Sequence, residues 1–188
     1  MLHASLELIL ARHCAPTLLG VKAASLASVS QDEIPDLEDL AARCDRQFAH
    51  RGLRFRVLCQ CQHRRLLYVY RPALLMRALQ RPEAKAILEA NGYPQTTELE
   101  TLLQHLQQRL AEQGSFPHEI GLFLDYPAED VRAFIETGGK GFQLSGLWKV
   151  YHDPEMAQAR FACYDRCREC LCAMVAAGES ITRLLGAA

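Results

Sequence analysis

Apolar residues recur at helical spacing from the first residues of the chain. Leu2, Leu6, Ile9 and Leu10 fall on one face, which predicts an amphipathic helix over residues 2–13. Pro16 is expected to end it, because the residue before a proline is pushed out of the α region. The next stretch, TLLGVKAASLASVS, has no clean period and leaves room for a short buried strand. Leu37, Leu40, Ala41, Cys44 and Phe48 then mark a second helix, with Gly52 as its stop.

At LRFRVLCQCQHRRLLYVYRP the period becomes two. Phe55, Val57, Cys59 and Cys61 alternate with Arg54, Arg56, Leu58 and Gln60, as a half-buried strand requires. A polar turn near Gln62, His63 and Arg64 leads into LLYVY, so the segment reads as a β-hairpin. Pro72 and Pro82 each suit the first position of a helix, and NGYP breaks the chain at residues 91–94. Thr97 and Glu100 have the spacing of a capping box before Leu99, Leu102, Leu103, Leu106 and Leu110, a helix expected to end near Gly114. A short helix from about Pro117, a turn at Asp125–Pro127 and a second helix through Ile135 follow. TGGKG is a loop, SGLWKVY reads as a strand, and Asp153 is placed to cap a long helix from Pro154 to about Gly178, with a short last helix after it. The pattern predicts one α+β domain over residues 1–188, mostly helical, with a small antiparallel sheet that includes one hairpin.

Composition narrows the function classes. With 49% hydrophobic residues, 23% charged residues and a net charge of -1, the chain has no global electrostatic reason to hold nucleic acid or acidic lipid. No apolar run approaches the roughly 18 residues of a membrane span. Glu7 and Arg12 interrupt the apolar N-terminus and no positive region precedes it, so a cytoplasmic protein is expected. Eight cysteines without an export signal read as thiols or metal ligands rather than disulfides.

The cysteines and histidines supply candidate chemistry. Cys163, Cys167 and Cys170 have the C-x3-C-x2-C spacing that resembles the iron–sulfur loop of radical S-adenosylmethionine enzymes. Here, however, the motif lies inside a helical pattern, where i, i+4 and i+7 share one face with Tyr164 and Leu171 while Cys172 points elsewhere. A thiol-rich packing face competes with a metal site. Cys59, Cys61 and His63 are soft ligands close enough in sequence for zinc or copper, again against core packing. Cys14, beside His13 and near Lys22, is a candidate reactive thiol, and its place two residues before a proline is similar to cysteine-based haem ligation. A helix C-terminus disfavours an anion there. In FPHEIG, Pro117 and Glu119 suit a helix start, whereas nothing in that role needs His118. His118 is a candidate base for a Cys14 thiolate, a pairing that requires the two to meet in the fold. The run from Glu119 to Glu136 also has the form of a helix–turn–helix, but Glu129, Asp130 and Glu136 against Arg132 make a poor face for phosphate.

The motifs FPHEIGLFLDYPAEDVRAFIE, GLWKVYHD, CAPTLLGVKAASL and LLYVYRP, in this arrangement, resemble a bacterial family described only as a domain of unknown function and found largely in anaerobes. The resemblance spans nearly the whole chain. Its pattern has Gly where Asp125 stands and Pro where Ala23 stands, and Cys167 is its usual C-terminal cysteine. Members encoded near flavodoxin or iron-uptake genes imply iron, haem or redox handling, with a flavodoxin-like or other redox protein as partner. The resemblance groups Cys14, Lys22, His118 and Glu119 as a joint site. The leading expectation is thus an iron, haem or redox-partner protein. A cysteine-nucleophile hydrolase or transferase is the enzyme alternative, and an adaptor docking a partner through the 117–136 hairpin is the non-enzymatic one.

Overall fold

The computed structural model describes residues 4–61, 64–112 and 116–186. Its fold is α+β and mostly helical, and the chain divides into two compact units, Met1–Pro72 with Tyr164–Ala188 and Ala73–Cys163.

In the first unit, helix α1 (Ala4–Leu18) leads to strand β1 (Ala24–Ser30), helix α2 (Leu37–Phe48), a 3-10 turn and the strands β2 (Arg54–Cys61) and β3 (Arg64–Tyr70). The strands form an antiparallel sheet with β3 in the centre, where Tyr70 faces both Ala24 and Arg54. Its core joins Leu10, Leu18, Leu37, Phe48 and Leu67, and Leu171 and Ile181 complete it. Burying each of these large side chains contributes about 1.5–3 kcal/mol. The expected hairpin is present, as are the expected second helix and its stop at Gly52, which has φ 66°.

Helix α1 does not end before Pro16 but runs through it to Leu18. Pro16 lacks an N–H, yet Cys14, Ala15, Pro16, Thr17 and Leu18 are all buried, so packing holds the last turn. Arg71 then takes the freed carbonyls of Thr17 and Leu18, each at 2.7 Å, and so caps the helix end. The alternation in β2 is also broken. A register shift between Val57 and Gln60 turns Leu58 inward, so Cys59 is only half-buried.

The second unit begins within α3 (Pro72–Leu79) and continues with α4 (Pro82–Ala90), α5 (Leu99–Ala111), α6 (Ile120–Phe123) and α7 (Ala128–Thr137). The strands β4 (Leu144–Ser145) and β5 (Lys149–Val150) form a tight antiparallel pair. Pro72 and Pro82 open their helices as expected. The capping box before α5 does not form. The helix starts at Leu99, which leaves Thr97 one residue too early, and Thr96 Oγ1 instead accepts the Glu98 N–H at 3.0 Å. Gly114, the expected end, lies outside the described residues.

Helix α8 (Pro154–Ala176) begins as expected, with Asp153 Oδ1 accepting the Met156 N–H at 3.0 Å, and α9 (Ile181–Gly186) follows. Among the described residues no helix is long and apolar enough to cross a membrane.

Candidate functional site

The FPHEIGLFLDYPAEDV stretch folds as a helical hairpin, α6 packed on α7, and its fit depends on Gly121. A Cβ there would lie 2.8 Å from Val131 Cγ2 and 3.2 Å from Tyr126 Cδ2, closer than packed carbon atoms tolerate. Asp125, at the turn, has φ 61°, a left-handed conformation that Asp tolerates better than most side chains.

A pocket of about 290 Å³ opens on this hairpin, with His118, Ile120, Tyr126, Phe134, Trp148 and Lys149 among its lining residues. Its aromatic rings brace one another. Tyr126 stacks on Trp148 with centroids 5.0 Å apart, Phe161 meets Trp148 edge-on at 4.5 Å, and His118 meets Phe134 edge-on at 4.9 Å. Gly146 makes room for this arrangement, since a Cβ there would fall 2.3 Å from the Phe161 ring.

Asp130 sets the geometry. Its buried carboxylate accepts the Trp148 indole N–H at 2.8 Å and the backbone N–H groups of Tyr151 and His152 at 2.9 and 3.0 Å. One side chain on α7 therefore positions the pocket tryptophan and the chain leaving β5. His152 Nδ1 also lies 3.4 Å from Asp130 Oδ1. Lys149, half-buried at the pocket, donates from Nζ to the Gly139 carbonyl at 2.7 Å and faces the rings of Phe134 and Phe142 at 5.7 and 4.7 Å. A larger hollow of about 570 Å³ lies beside Tyr93, where Gln80, Lys85, Glu89 and Gln95 alternate with apolar residues. It gathers none of the candidate site residues read from the sequence.

A family model described as "Protein of unknown function (DUF3793)" matches residues 10–185. The chain belongs to that family. No curated protein and no solved structure matches it.

Within this DUF3793 chain the four residues grouped as a joint site fall in different units, Cys14 and Lys22 in the first, His118 and Glu119 in the second. Cys14 is fully buried. Burial pushes its thiol up to about 12, although the nearby Lys22 pulls the other way. Lys22 is buried too, with Nζ 5.6 Å from the centre of the Tyr164 ring. His13 is exposed, and partial burial with the Arg12 charge beside it lowers its pKa.

His118 is exposed at the pocket, whereas Glu119 faces away from solvent and accepts from Arg109 Nε at 3.0 Å and the Tyr93 hydroxyl at 3.3 Å. Burial and the Glu119 carboxylate raise the Tyr93 pKa. Glu119 is thus held by an ion pair and a hydroxyl inside the helical packing.

Cys163, Cys167 and Cys170 lie on α8, where Cys167 packs against the core of the first unit and Cys170 is exposed. Of the other thiol set, Cys59 is half-buried, while His63 and the side chain of Cys61 lie outside the described residues. Among the described residues no group of three or more His, Cys, Asp or Glu side chains is arranged to hold a metal ion.

Trp148 and Lys149 were not singled out from the sequence, and Asp130 was read there only as one acid of a helix face unsuited to phosphate. The signal for Asp130 was present: it is an acidic residue on the inward face of an amphipathic helix, at a position that packing leaves without a partner in sequence.

Proposed function

We propose that this DUF3793 member is a non-enzymatic binding module whose ligand docks in the aromatic pocket of the 117–136 helical hairpin. The observation that supports this reading is the pocket itself. Its walls are preorganised by ring contacts and by a buried carboxylate, and little ordering is left for the ligand to impose. The cysteine hydrolase or transferase is less favoured, because a thiol pushed up to about 12 is protonated near neutral pH and a buried one does not meet substrate. The iron, haem or zinc reading and a flavodoxin-like partner rest on cysteine spacing and resemblance, to which the thiol positions add no further observation.

The chain has a single tryptophan, so Trp148 gives one indole N–H resonance, inside the site. Titration of the ¹⁵N-labelled protein with neutral benzyl alcohol should shift that resonance saturably, together with His118 and Phe134. Scattered or unsaturable shifts would reject the reading. Absorbance and elemental analysis of protein purified without oxygen provide the contrary arm: a Soret band or stoichiometric iron or zinc would favour the metal reading instead.

A further inference from the structure

We infer that the pocket takes a small aromatic or branched aliphatic monocarboxylic acid, with its apolar body beside Trp148, Tyr126 and Phe134 and its carboxylate on Lys149 Nζ. This rests on the proposed reading of the pocket as a ligand site and adds the chemical class of the ligand.

Charge carries the argument. The ammonium of Lys149 gives one hydrogen to the Gly139 carbonyl, and its remaining described neighbours are the faces of Phe134 and Phe142. Ring faces attract a cation, but they do not neutralise it as a carboxylate does. No carboxylate pairs with Lys149 among the described residues, and this half-buried residue is one of those lining the pocket. A half-buried charge of that kind favours an anionic ligand, because the pair recovers interaction that the lysine has lost from water.

Two acidic side chains of the hairpin, Asp130 and Glu119, are already engaged. Asp130 lines the pocket but has its oxygens on Trp148, Tyr151 and His152, and Glu119 is held by Arg109 and Tyr93. A cationic ligand would have to share the one carboxylate among the pocket's lining residues with the donors that already hold it, whereas an anion finds Lys149 and, at the exposed edge, the His118 ring. Size sets the rest. At about 290 Å³ the pocket lies at the lower end of small-molecule sites, which span about 300–1,000 Å³, so it suits one ring and a short acidic arm. A dinucleotide is too large for it.

Three compounds of nearly one shape test the inference on the full chain, with the Trp148 indole resonance as readout: 3-phenylpropionate, 3-phenylpropionamide and 3-phenylpropylamine. The acid should bind at least tenfold tighter than the amide, and the amine weakest. Lys149→Met should abolish the difference between acid and amide. Lys149→Gln, which keeps a donor for the Gly139 carbonyl without the charge, should do the same, and guards against a Lys149→Met protein that does not fold. An amide that binds as tightly as the acid, or an acid preference that survives both variants, overturns the inference while the pocket stands as a binding site. If none of the three moves Trp148, the pocket reading falls with it. A peptide ending in a free phenylalanine carboxylate that binds more than tenfold tighter than phenylpropionate would overturn the small-molecule assignment in favour of a chain terminus.

Discussion

Trp148 donates its indole N–H to the buried carboxylate of Asp130 across 2.8 Å, and through that bond α7 holds the pocket tryptophan in place. The same carboxylate takes the N–H groups of Tyr151 and His152. Asp130→Ala would leave these donors without their acceptor, at a cost of about 3 kcal/mol, with a milder loss for Asp130→Asn because one oxygen remains. Urea unfolding gives the stability change, and Trp148 emission should move to the red in the alanine variant. A change below about 0.5 kcal/mol would show that water replaces the latch without penalty.

Arg109 and Glu119 form a second dependence within the same unit. Only the arginine is partly exposed, with side-chain exposures of 32% and 2%, so its removal strands a buried carboxylate. Arg109→Met should destabilise by about 3 kcal/mol, more than Glu119→Gln, which removes the charge but keeps an acceptor for Tyr93. Denaturant midpoints of the two single variants and the double variant test the ordering, and the double should be less damaging than the sum.

Gly121 and Val131 are matched in size. Gly121→Ala should cost about 1–3 kcal/mol by overpacking, and Val131→Ala in that background should recover part of the loss, although it is destabilising alone. Thermal unfolding of the four proteins gives the coupling.

Asp125, in the left-handed region, separates backbone from side-chain effects. Replacement by Gly, which reaches the left-handed region without strain, should be tolerated within about 1 kcal/mol, whereas Asp125→Val should cost about 1–2 kcal/mol through backbone strain.

The buried thiols give a pH dependence. Cys14 and Cys44 are each raised from 9.0 to about 12, chiefly by burial, so the folded state holds these protons more tightly than the unfolded chain. Their contribution is fully present below pH 9 and is lost as the pH rises from 9 towards 12. Stability should therefore fall over that window, and a Cys14→Ala, Cys44→Ala protein should show a shallower fall. Under native conditions at pH 8, iodoacetamide with mass spectrometry should label exposed Cys170 well before Cys14.

Much of the fold was legible in local pattern. The hairpin of β2 and β3 was visible in alternating apolar residues and a β-branched, aromatic partner strand, and α8 in the signal of Asp153 followed by Pro154. The readings that failed were those in which a distant residue overrides a local rule. Arg71 accepts the role of cap for α1 from far along the chain, and the helix passes Pro16. A bulge in β2 shifts the face on which Leu58 lies, which strict alternation does not anticipate.

The site divides in the same way. His118 was singled out because capping left it unexplained, and it lines the pocket. Glu119 was read as the acid of a helix start, whereas its partners Arg109 and Tyr93 are remote in sequence and hold it by an ion pair and a hydrogen bond. Cys14 was read by its neighbours in the chain, whereas burial decides its chemistry.

The sequence by itself determined the α+β class, the positions of most helices and strands, and the family, because periodicity, prolines and short motifs act over a few residues. Only the tertiary structure decided which charged groups are held by hydrogen bonds and ion pairs and which are not. Asp130 and Lys149 look alike in sequence, as charged residues in amphipathic segments. Packing closes the first with donors from either side of β5, Trp148 before it and Tyr151 and His152 after it, and leaves the second half-buried between rings with no acid paired to it among the described residues, since hydrogen-bond partners and burial depend on distances the linear chain does not contain.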